Sequence, residues 1–229
     1  MNFAIIAAAG NGTRFGAKTP KQFLEINRKP IIIHTLERFE NCPKIDQIIL
    51  VLASVETQNF LQLAKKYKLK KLSKIAAGGK TRAESVFNGL KAIRAAPNSI
   101  VAVHDGARPL VTAEEISATI EKAETDGAAC LVAKITDTIK KVSDGKIIET
   151  IDRAELRRAL TPQCFRYEIL KRAFESADLN ESATDECFLV EKLGYQISTV
   201  EGSARNIKIT TQADFEIAEK FLKEIEGGK

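Results

Sequence analysis

The apolar residues of this chain form short continuous runs, which alternate with longer stretches where apolar residues recur every three or four positions. Short runs bounded by turn residues are typical of buried strands, and the wider spacing is typical of helices that cover a sheet. The pattern predicts strands over residues 3–8, 47–53, 72–76 and 100–103, and helices over residues 33–40, 56–67 and 81–95. This alternation predicts an α/β fold with a mostly parallel sheet and helices on both faces.

Two segments carry a capping-box signature, a threonine followed three positions later by a glutamate, and each signature predicts a helix start. The two pairs are Thr81 with Glu84 and Thr112 with Glu115. In such a box each side chain accepts a hydrogen bond from the backbone of the other residue. Two glycines, residues 78–79, lie one residue before the first box. We therefore expect a glycine turn that leads into a helix N-terminus able to face an anion or a base.

The pattern changes after a further predicted strand over residues 129–133. Residues 136–142 and 147–152 alternate between polar and apolar, and the Asp144-Gly145 pair between them is a strong hairpin signal. A hairpin inserted into a parallel sheet does not easily bury both faces on its own domain. We therefore expect residues 135–153 to project as an arm that packs on a second copy of the chain. The remaining pattern predicts helices over residues 154–159, 166–176, 184–192 and 212–225, and a strand over 196–200.

The composition is that of a globular protein with one domain. The 229 residues are enough for one large core, and no linker rich in Pro, Gly or Ser divides them, so we predict a single domain over residues 1–229. The apolar fraction of 44% and the charged fraction of 28% exclude disorder as the main state. Since no apolar run approaches the length of a membrane span and the first run lacks a basic leader, we expect a cytoplasmic protein that does not bind membranes.

The charge distribution argues against a nucleic-acid site, and the cysteine spacing argues against a zinc site and a redox dithiol. The net charge is +5, but the lysines are scattered among acids without interleaved aromatic residues, so we expect no binding to nucleic acid. A modest positive excess also suits an enzyme with phosphorylated substrates. The four cysteines are far apart and form no Cys-x-x-Cys pair, which argues against a zinc site and a redox dithiol.

The first predicted strand leads into a glycine-rich, cationic loop at residues 7–16. Glycines let backbone N–H groups approach phosphate oxygens, and Arg14, with Lys18 and Lys21 downstream, supplies positive charge. The loop fits neither the dinucleotide fingerprint nor the P-loop, because both need glycine where Phe15 stands. We therefore predict a third kind of nucleotide loop, which ends in Pro-Lys-Gln at residues 20–22.

This loop resembles the signature of nucleotidyltransferases that join a sugar or polyol phosphate to a nucleotide. Further motifs are Val-His-Asp-Gly-Ala-Arg-Pro at residues 103–109, Thr-Asp-Thr at 136–138, Thr-Pro-Gln at 161–163, Thr-Asp-Glu at 184–186 and Asn-Ile-Lys-Ile-Thr at 206–210. The motifs occur in the order found in the 2-C-methyl-D-erythritol 4-phosphate cytidylyltransferase family. The similarity extends from residue 2 to about residue 221.

The resemblance implies a Rossmann-like nucleotidyltransferase fold and a Mg²⁺-dependent activity. It implies transfer of the cytidylyl group of CTP to 2-C-methyl-D-erythritol 4-phosphate, which gives 4-diphosphocytidyl-2-C-methyl-D-erythritol and pyrophosphate in the non-mevalonate isoprenoid pathway. It also implies a homodimer in which each arm completes the active site of the neighbouring subunit.

Two alternatives remain, a related cytidylyltransferase with another polyol phosphate and a protein of another class without enzymatic activity. A ribitol 5-phosphate cytidylyltransferase shares the loop, the arm and the Pro-Lys-Gln segment, but Gly106 and Ala107 favour the erythritol enzyme. A non-catalytic nucleotide-binding regulator on the same fold is expected to have lost the cations that this chain retains.

Arg14 and Lys21 are the predicted catalytic residues. Phosphoryl transfer is catalysed mainly by positioning and by charge stabilisation, and the resemblance assigns both cations to the triphosphate. Ser85 can also be a plain helix residue. By resemblance, the nucleotide site comprises Ala8, Ala9, Gly10, Gly12, Arg14, Lys21, Gly79, Arg82 and Ser85.

Asp105 follows the end of a predicted strand, where an open α/β sheet places its ligands. A carboxylate there suits Mg²⁺, which commonly takes only one or two carboxylates, and the resemblance assigns the metal to Asp105 as well. By resemblance, the polyol phosphate site comprises Asp105, Arg108, Thr138, Arg153, Thr161 and Lys208, two of the last four serving the partner subunit. Thr138 can instead belong to local turn chemistry, and Arg153 can simply open the helix predicted after it.

His104 and Arg205 carry no predicted role in the chemistry. The attacking phosphate is ionised at neutral pH and needs no general base, so we interpret His104 as structural. Arg205 occupies a place where related sequences carry an acid, so we predict no second carboxylate ligand there.

Overall fold

The computed structural model describes residues 1–10, 20–178 and 184–227 of the chain. The strands are β1 (Asn2–Ala7), β2 (Glu25–Ile26), β3 (Lys29–Pro30), β4 (Gln47–Leu52), β5 (Leu72–Ala77), β6 (Ile100–Asp105), β7 (Ala128–Lys134), β8 (Ile139–Ser143), β9 (Lys146–Ile151), β10 (Arg157–Arg166) and β11 (Ser198–Glu201). The helices are α1 (Ile31–Glu40), α2 (Thr57–Lys66), α3 (Arg82–Lys91), α4 (Ala113–Asp126), α5 (Tyr167–Ser176), α6 (Glu186–Lys192) and α7 (Gln212–Gly227).

Within the described residues, the main sheet has seven strands in the order β11-β7-β10-β6-β1-β4-β5. The neighbours β6, β1, β4 and β5 pair in parallel, and β11 pairs in parallel with β7. Between β6 and β7, strand β10 runs antiparallel to both. The fold class predicted from the alternating pattern, a mostly parallel sheet, is therefore confirmed.

Helices cover both faces of this sheet, as predicted. Along β1, Ala4 and Ile6 pack into a core with helices α1, α2 and α4, whereas Phe3 and Ile5 pack into a second core with α3, α5 and α6. Successive side chains of a strand point to opposite faces, so a strand buried on both faces reads as a continuous apolar run. A smaller third cluster packs α7 against the segment that contains Ile209.

Both predicted capping boxes lie at helix starts, but only one is complete. At α4, Thr112 Oγ1 accepts a hydrogen bond from Glu115 N at 3.2 Å, and Thr112 N donates to Glu115 Oε2 at 2.9 Å. At α3, Thr81 Oγ1 accepts from Glu84 N at 3.0 Å, whereas the Glu84 carboxylate accepts from Lys80 N at 2.6 Å. Glu84 therefore holds the loop before α3 instead of completing the box.

Replacement of Thr112 by alanine is expected to lower the free energy of unfolding by about 1 kcal/mol, because α4 loses its N-cap. Urea unfolding followed by circular dichroism measures the change. The Thr125→Ala variant is the control, because Thr125 Oγ1 donates to the Glu121 carbonyl in the last turns of the same helix. Equal losses in the two variants would contradict the importance of the cap.

The predicted hairpin forms a two-stranded sheet of its own, separate from the main sheet. Strands β8 and β9 pair from Ile139 with Ile151 to Ser143 with Lys146. Asp144 and Gly145 have φ angles of 49° and 74°, and two successive positive values are typical of a type I′ turn. Glycine suits the second of these positions because it has no side chain to strain the backbone.

The predicted helix over residues 154–159 is wrong. Residues from Arg157 onward belong to β10, and Arg157, Arg158 and Ala159 pair with Lys134, Ala133 and Val132 of β7. The local sequence favours a helix, but the ladder on β7 and β6 supplies backbone partners along the strand and prevails. The predicted helix 81–95 also ends early, at Lys91, and the pattern did not predict the short β2–β3 pair.

Candidate active site

A cleft of about 630 Å³ lies at the carboxyl ends of β1, β4, β5 and β6. This edge is where open α/β sheets bind their ligands. The predicted site residues that line the cleft are Ala8, Ala9, Gly10, Lys21, Gly79, Arg82, Ser85, Asp105 and Lys208. Gly12 and Arg14, also predicted, lie outside the described residues.

Asp105, the last residue of β6, is surrounded by three cationic side chains. Its Oδ1 lies 3.0 Å from Arg82 Nε, and its Oδ2 lies 3.3 Å from Arg108 Nε and 3.0 Å from Lys208 Nζ. Arg82 begins α3, Arg108 follows β6, and Lys208 comes from the segment between β11 and α7. Three parts of the chain that are distant in sequence therefore converge on one carboxylate.

These charges decide the ionisation of Asp105 and of its neighbour Arg82. Burial by itself raises the pKa of Asp105, but Arg82, Lys208 and Arg108 outweigh it and hold the pKa well below its ordinary value. Burial by itself lowers the pKa of Arg82, but Glu186 and Asp105 outweigh it and raise that pKa. Both groups are charged at neutral pH. Three cations face two carboxylates, which leaves a positive excess that suits anionic ligands.

Glu186 is a member of this group for which the sequence indicated no role. It is the first residue of α6, it is 1% exposed, and its Oε1 lies 2.7 Å from Arg82 Nη1. Burial raises the pKa of Glu186, and the charge of Arg82 opposes that rise. The sequence signal that could have identified Glu186 is the Thr-Asp-Glu motif at residues 184–186, which is one of the family motifs but suggested no role for its residues.

Gln163 connects β10 to the start of α6. Its Nε2 donates to Asp185 Oδ2 at 2.8 Å, and its Oε1 accepts from Glu186 N and Cys187 N, both at 3.1 Å. Asp185 Oδ1 also caps α6 by accepting from Phe188 N at 3.0 Å. The Thr-Pro-Gln and Thr-Asp-Glu motifs therefore form one structural unit, which fixes the position of the glutamate.

The predicted glycine turn is held in place by Ser85. The Ser85 hydroxyl accepts from Gly79 N at 3.0 Å and donates to the Thr81 carbonyl at 2.8 Å. A side chain at Gly78 would collide with Cβ of Ala9, so glycine there lets this turn approach the first loop closely. The turn and the loop therefore form adjoining walls of the cleft.

Lys21 and Gln22 fasten the described part of the first loop. Gln22 Nε2 donates to the Ala8 carbonyl at 2.8 Å and to the Gly10 carbonyl at 3.3 Å. Lys21 Nζ donates to the Ile209 carbonyl at 2.8 Å. Lys21 therefore lies beside the segment that also carries Lys208, another lysine of the cleft.

The segment around Asn206 is fixed from beneath the cleft. Arg108 Nη1 donates to the Asn206 carbonyl at 2.8 Å, and Asn206 Nδ2 donates to the Thr161 carbonyl at 2.9 Å. Arg108 does not line the cleft itself, and its Nε contacts Asp105 from the protein side. This network fixes the position of the backbone close to Lys208.

His104 is fully buried and connects Thr161 to Arg108. Its Nε2 lies 3.1 Å from the Arg108 carbonyl, and its Nδ1 lies 2.9 Å from Thr161 Oγ1. A carbonyl only accepts hydrogen bonds, so Nε2 carries the proton and Nδ1 accepts from the threonine hydroxyl. That hydroxyl in turn accepts from Asp105 N at 3.2 Å. The geometry supports the structural interpretation of His104 and places Thr161 behind Asp105, outside the lining of the cleft.

The buried imidazole of His104 predicts a specific loss of stability in acid. Burial lowers its pKa from 6.5 to about 3, so between these values the unfolded chain takes up a proton that the folded chain does not. From pH 7 to pH 5, the native protein is expected to lose about 2 kcal/mol more stability than a His104→Gln variant. Urea titrations at both pH values test this, and equal losses would contradict it.

Thr138 and Arg153 do not line the cleft. Both are exposed at the base of the hairpin, and Arg153 Nη1 donates to the Thr136 carbonyl across the two limbs. The next element after Arg153 is strand β10, so Arg153 does not open a helix. The assignment of both residues to the polyol phosphate stays a prediction.

Among residues 1–10, 20–178 and 184–227, no helix is both long and apolar enough to cross a membrane. Within the same residues, no three His, Cys, Asp or Glu side chains gather as a metal site. The four cysteines are buried free thiols.

Comparisons with known proteins identify the family. The profile of a family described as "IspD: 2-C-methyl-D-erythritol 4-phosphate cytidylyltransferase" matches residues 2–224. The 2-C-methyl-D-erythritol 4-phosphate cytidylyltransferase of Alkaliphilus metalliredigens (strain QYMF) is 43% identical over 228 residues, which cover 98% of this chain and 94% of the relative. The protein of the same name from Endomicrobium trichonymphae is 45% identical over 223 residues, which cover 97% of this chain and 99% of the relative.

A solved structure gives the same result. The 4-diphosphocytidyl-2C-methyl-D-erythritol synthase from Anaerococcus prevotii DSM 20548 superposes with a TM-score of 0.85 at 29% identity, over 97% of this chain and 96% of that one. Sequence and fold therefore agree over nearly the whole length. This chain belongs to the 2-C-methyl-D-erythritol 4-phosphate cytidylyltransferase family of nucleotidyltransferase enzymes.

Proposed function

We propose that the chain transfers the cytidylyl group of CTP to 2-C-methyl-D-erythritol 4-phosphate, and so serves the non-mevalonate route to isoprenoid precursors. The observation that carries the proposal is Asp105 at the carboxyl end of β6, held among Arg82, Arg108 and Lys208 beside a cleft that Lys21 also lines. Such a cluster suits two substrates that are both phosphorylated anions. The family match favours the erythritol phosphate over ribitol 5-phosphate.

The nucleotide lies against the first loop and the glycine turn in this proposal. Ala8, Ala9 and Gly10 line one wall of the cleft, and Gly79 and Ser85 line the other. Backbone groups and a hydroxyl are sufficient to recognise the small polar edge of cytosine. The triphosphate then extends toward Lys21 and toward Arg14, whose role rests on the resemblance.

The reaction joins a phosphate oxygen of the polyol phosphate to the α-phosphorus of CTP and breaks the bond to pyrophosphate. The attacking oxygen is already ionised, so the main barrier is the approach of one anion to another. Lys208, which lines the cleft, exchanges Asp105 for an oxygen of the attacking phosphate, and the charge of Arg108 attracts that phosphate from behind Asp105. Lys21 stabilises the negative charge that concentrates around the α-phosphorus in the transition state.

Asp105 fits the task of holding Mg²⁺, the cofactor that we propose. Its carboxylate supplies the hard oxygen ligands that magnesium prefers, and one carboxylate suffices when phosphates and water supply the other ligands. Arg82 or Lys208 would release the oxygen that the ion takes. When bound there, the ion would neutralise charge on the triphosphate.

The proposal also includes a cytoplasmic homodimer in which each arm reaches the neighbouring subunit. The hairpin of β8 and β9 exposes 58% of Val142, 66% of Ile147 and 57% of Ile148. An isolated two-stranded sheet is marginal in water, so a second copy that covers these side chains would stabilise it. Thr138 and Arg153, at the base of the arm, would then serve the polyol phosphate of the neighbour.

Pyrophosphate release from CTP and Mg²⁺, with either 2-C-methyl-D-erythritol 4-phosphate or ribitol 5-phosphate, tests the proposed reaction. Release with the erythritol phosphate alone is the expected result. Release with ribitol phosphate alone would move the protein to another pathway. Release with neither, while CTP still binds, would instead indicate a nucleotide-binding regulator.

Sedimentation equilibrium tests the arm. The native protein is expected to have the mass of two chains, and a variant that carries both Ile147→Lys and Ile148→Lys the mass of one, because charged residues prevent burial of the arm. Val55→Lys is the control, because Val55 is 82% exposed but lies outside the arm. A native mass of one chain would contradict the dimer and leave the proposed reaction standing.

A further inference from the structure

The guanidinium of Arg82 is shared by two carboxylates from different parts of the fold. Its Nε lies 3.0 Å from Asp105 Oδ1, and its Nη1 lies 2.7 Å from Glu186 Oε1. Arg82 lines the cleft with 27% of its side chain exposed, whereas the Glu186 side chain is 1% exposed and does not line the cleft. One partner of Arg82 therefore faces the ligands, and the other stands behind it.

The partner that faces the ligands has competing tasks. The two oxygens of Asp105 accept contacts from Arg82, Arg108 and Lys208 at once. A phosphate or a metal ion that enters the cleft takes the place of some of these contacts. Arg82 would then lose one of its two anchors at the moment when CTP needs it in a fixed position.

Glu186, the partner behind Arg82, does not face the ligands, so no ligand can replace its contact with Arg82. Among the described residues, Arg82 is the cation within salt-bridge distance of Glu186, and Glu186 Oε2 has no hydrogen-bond partner. A buried carboxylate oxygen without a partner is destabilising. Gln163 accepts from Glu186 N and also binds the Asp185 carboxylate, so the start of α6 cannot move to solvate the glutamate. The fold retains a costly charge at a place where it contacts one cleft residue.

We propose that Glu186 is a positioning residue for nucleotide binding, which keeps Arg82 in place when Asp105 exchanges it for a substrate or a metal ion. Glu186 is thus the permanent partner of the guanidinium, and Asp105 is the exchangeable one. Glu186 touches neither substrate. The inference rests on the proposed function, because it assigns Arg82 to CTP.

The Glu186→Gln variant tests this role, because glutamine keeps the size and one acceptor for Arg82 but removes the charge. We expect the KM for CTP to rise about tenfold, as when a charge-assisted hydrogen bond becomes a neutral one. The kcat and the KM for the polyol phosphate should stay within about twofold of the native values, because the lost interaction serves CTP binding alone. Glu191→Gln, an exposed change on the same helix, is the matched control and should change none of them.

Two outcomes would overturn the proposal. An unchanged KM for CTP would show that Arg82 needs no permanent partner. If the KM values of both substrates rose and kcat fell by similar factors, together with a lower melting temperature, Glu186 would serve folding alone.

A double-mutant cycle separates this inference from the proposed reaction. The Kd for CTP, measured by calorimetry, should be higher in Glu186→Gln than in the native protein. In the Arg82→Lys background, the added Glu186→Gln change should leave the Kd where Arg82→Lys alone puts it. Additive effects would contradict coupling through the guanidinium. Because the cycle needs no turnover, it remains informative if the native protein releases no pyrophosphate from CTP.

Discussion

The Asp105→Asn variant is expected to release pyrophosphate at least about 100-fold more slowly than the native protein, since charge stabilisation dominates this chemistry. The amide leaves Arg82, Arg108 and Lys208 without the carboxylate that they share. It also removes the one protein ligand that we propose for magnesium. The measurement is the rate of pyrophosphate release at saturating CTP over a range of Mg²⁺ concentrations, and the remaining rate should depend less steeply on Mg²⁺.

Asp46→Asn is the control for this prediction. Asp46 is exposed and directly precedes β4, so it lies at the edge of the sheet opposite the cleft. The control variant should keep the native rate. Circular dichroism must show that Asp105→Asn is folded, and a folded variant with the native rate would remove Asp105 from the mechanism.

The Lys21→Ala variant is expected to lower kcat by about 10²–10³, the effect of removing one well-placed donor to a developing anion. Lys21 Nζ is held at 2.8 Å from the Ile209 carbonyl, so its charge has a defined position in the cleft. Single-turnover measurement of pyrophosphate release isolates the chemical step. The KM for CTP should change less than kcat, because the interaction is strongest in the transition state.

Lys44→Ala provides the matched control for Lys21. Lys44 lies 3.2 Å from Glu121 and 3.6 Å from Glu124 with 37% of its side chain exposed, and such surface pairs contribute little. The control should keep the native kcat and KM. A Lys21→Ala variant that raised only the KM for CTP would assign the lysine to ground-state binding and contradict its catalytic role.

The sequence predicted the elements whose signal is local. The runs that became β1, β4 and β6 are apolar on both faces, and Thr112 with Glu115 marked the start of α4 by chemistry within one turn. Strand β10 could not be predicted this way, because its partners are β6 and β7, which lie far away in sequence. Its first residues favour a helix, and only the assembled sheet overrides that preference.

The site residues also differ in whether a local sequence signal or only a tertiary contact reveals them. Asp105 was predictable from its position after an apolar run, and Lys208 from the motif around it. Glu186 gained its role only through contact with Arg82, which is 104 residues away. Thr161 belonged to a recognisable motif, but its hydroxyl is buried between His104 and the backbone of Asp105, a placement that no spacing along the chain indicates.

The position of β10 between β6 and β7 has a consequence for biosynthesis. The ribosome releases β6 with Asp105, Arg82 and Arg108 already present, but β10 and Lys208 emerge much later. Until then, the nascent chain has an open strand edge along β6 and two along β7, whose neighbours β10 and β11 both come later, and exposed edges invite pairing with other chains. At this stage Asp105 has Arg82 and Arg108 beside it but lacks its third cation, Lys208. A nascent chain is therefore most exposed to aggregation until β10 has joined the sheet, and the cation group around Asp105 is complete only after Lys208 has also emerged.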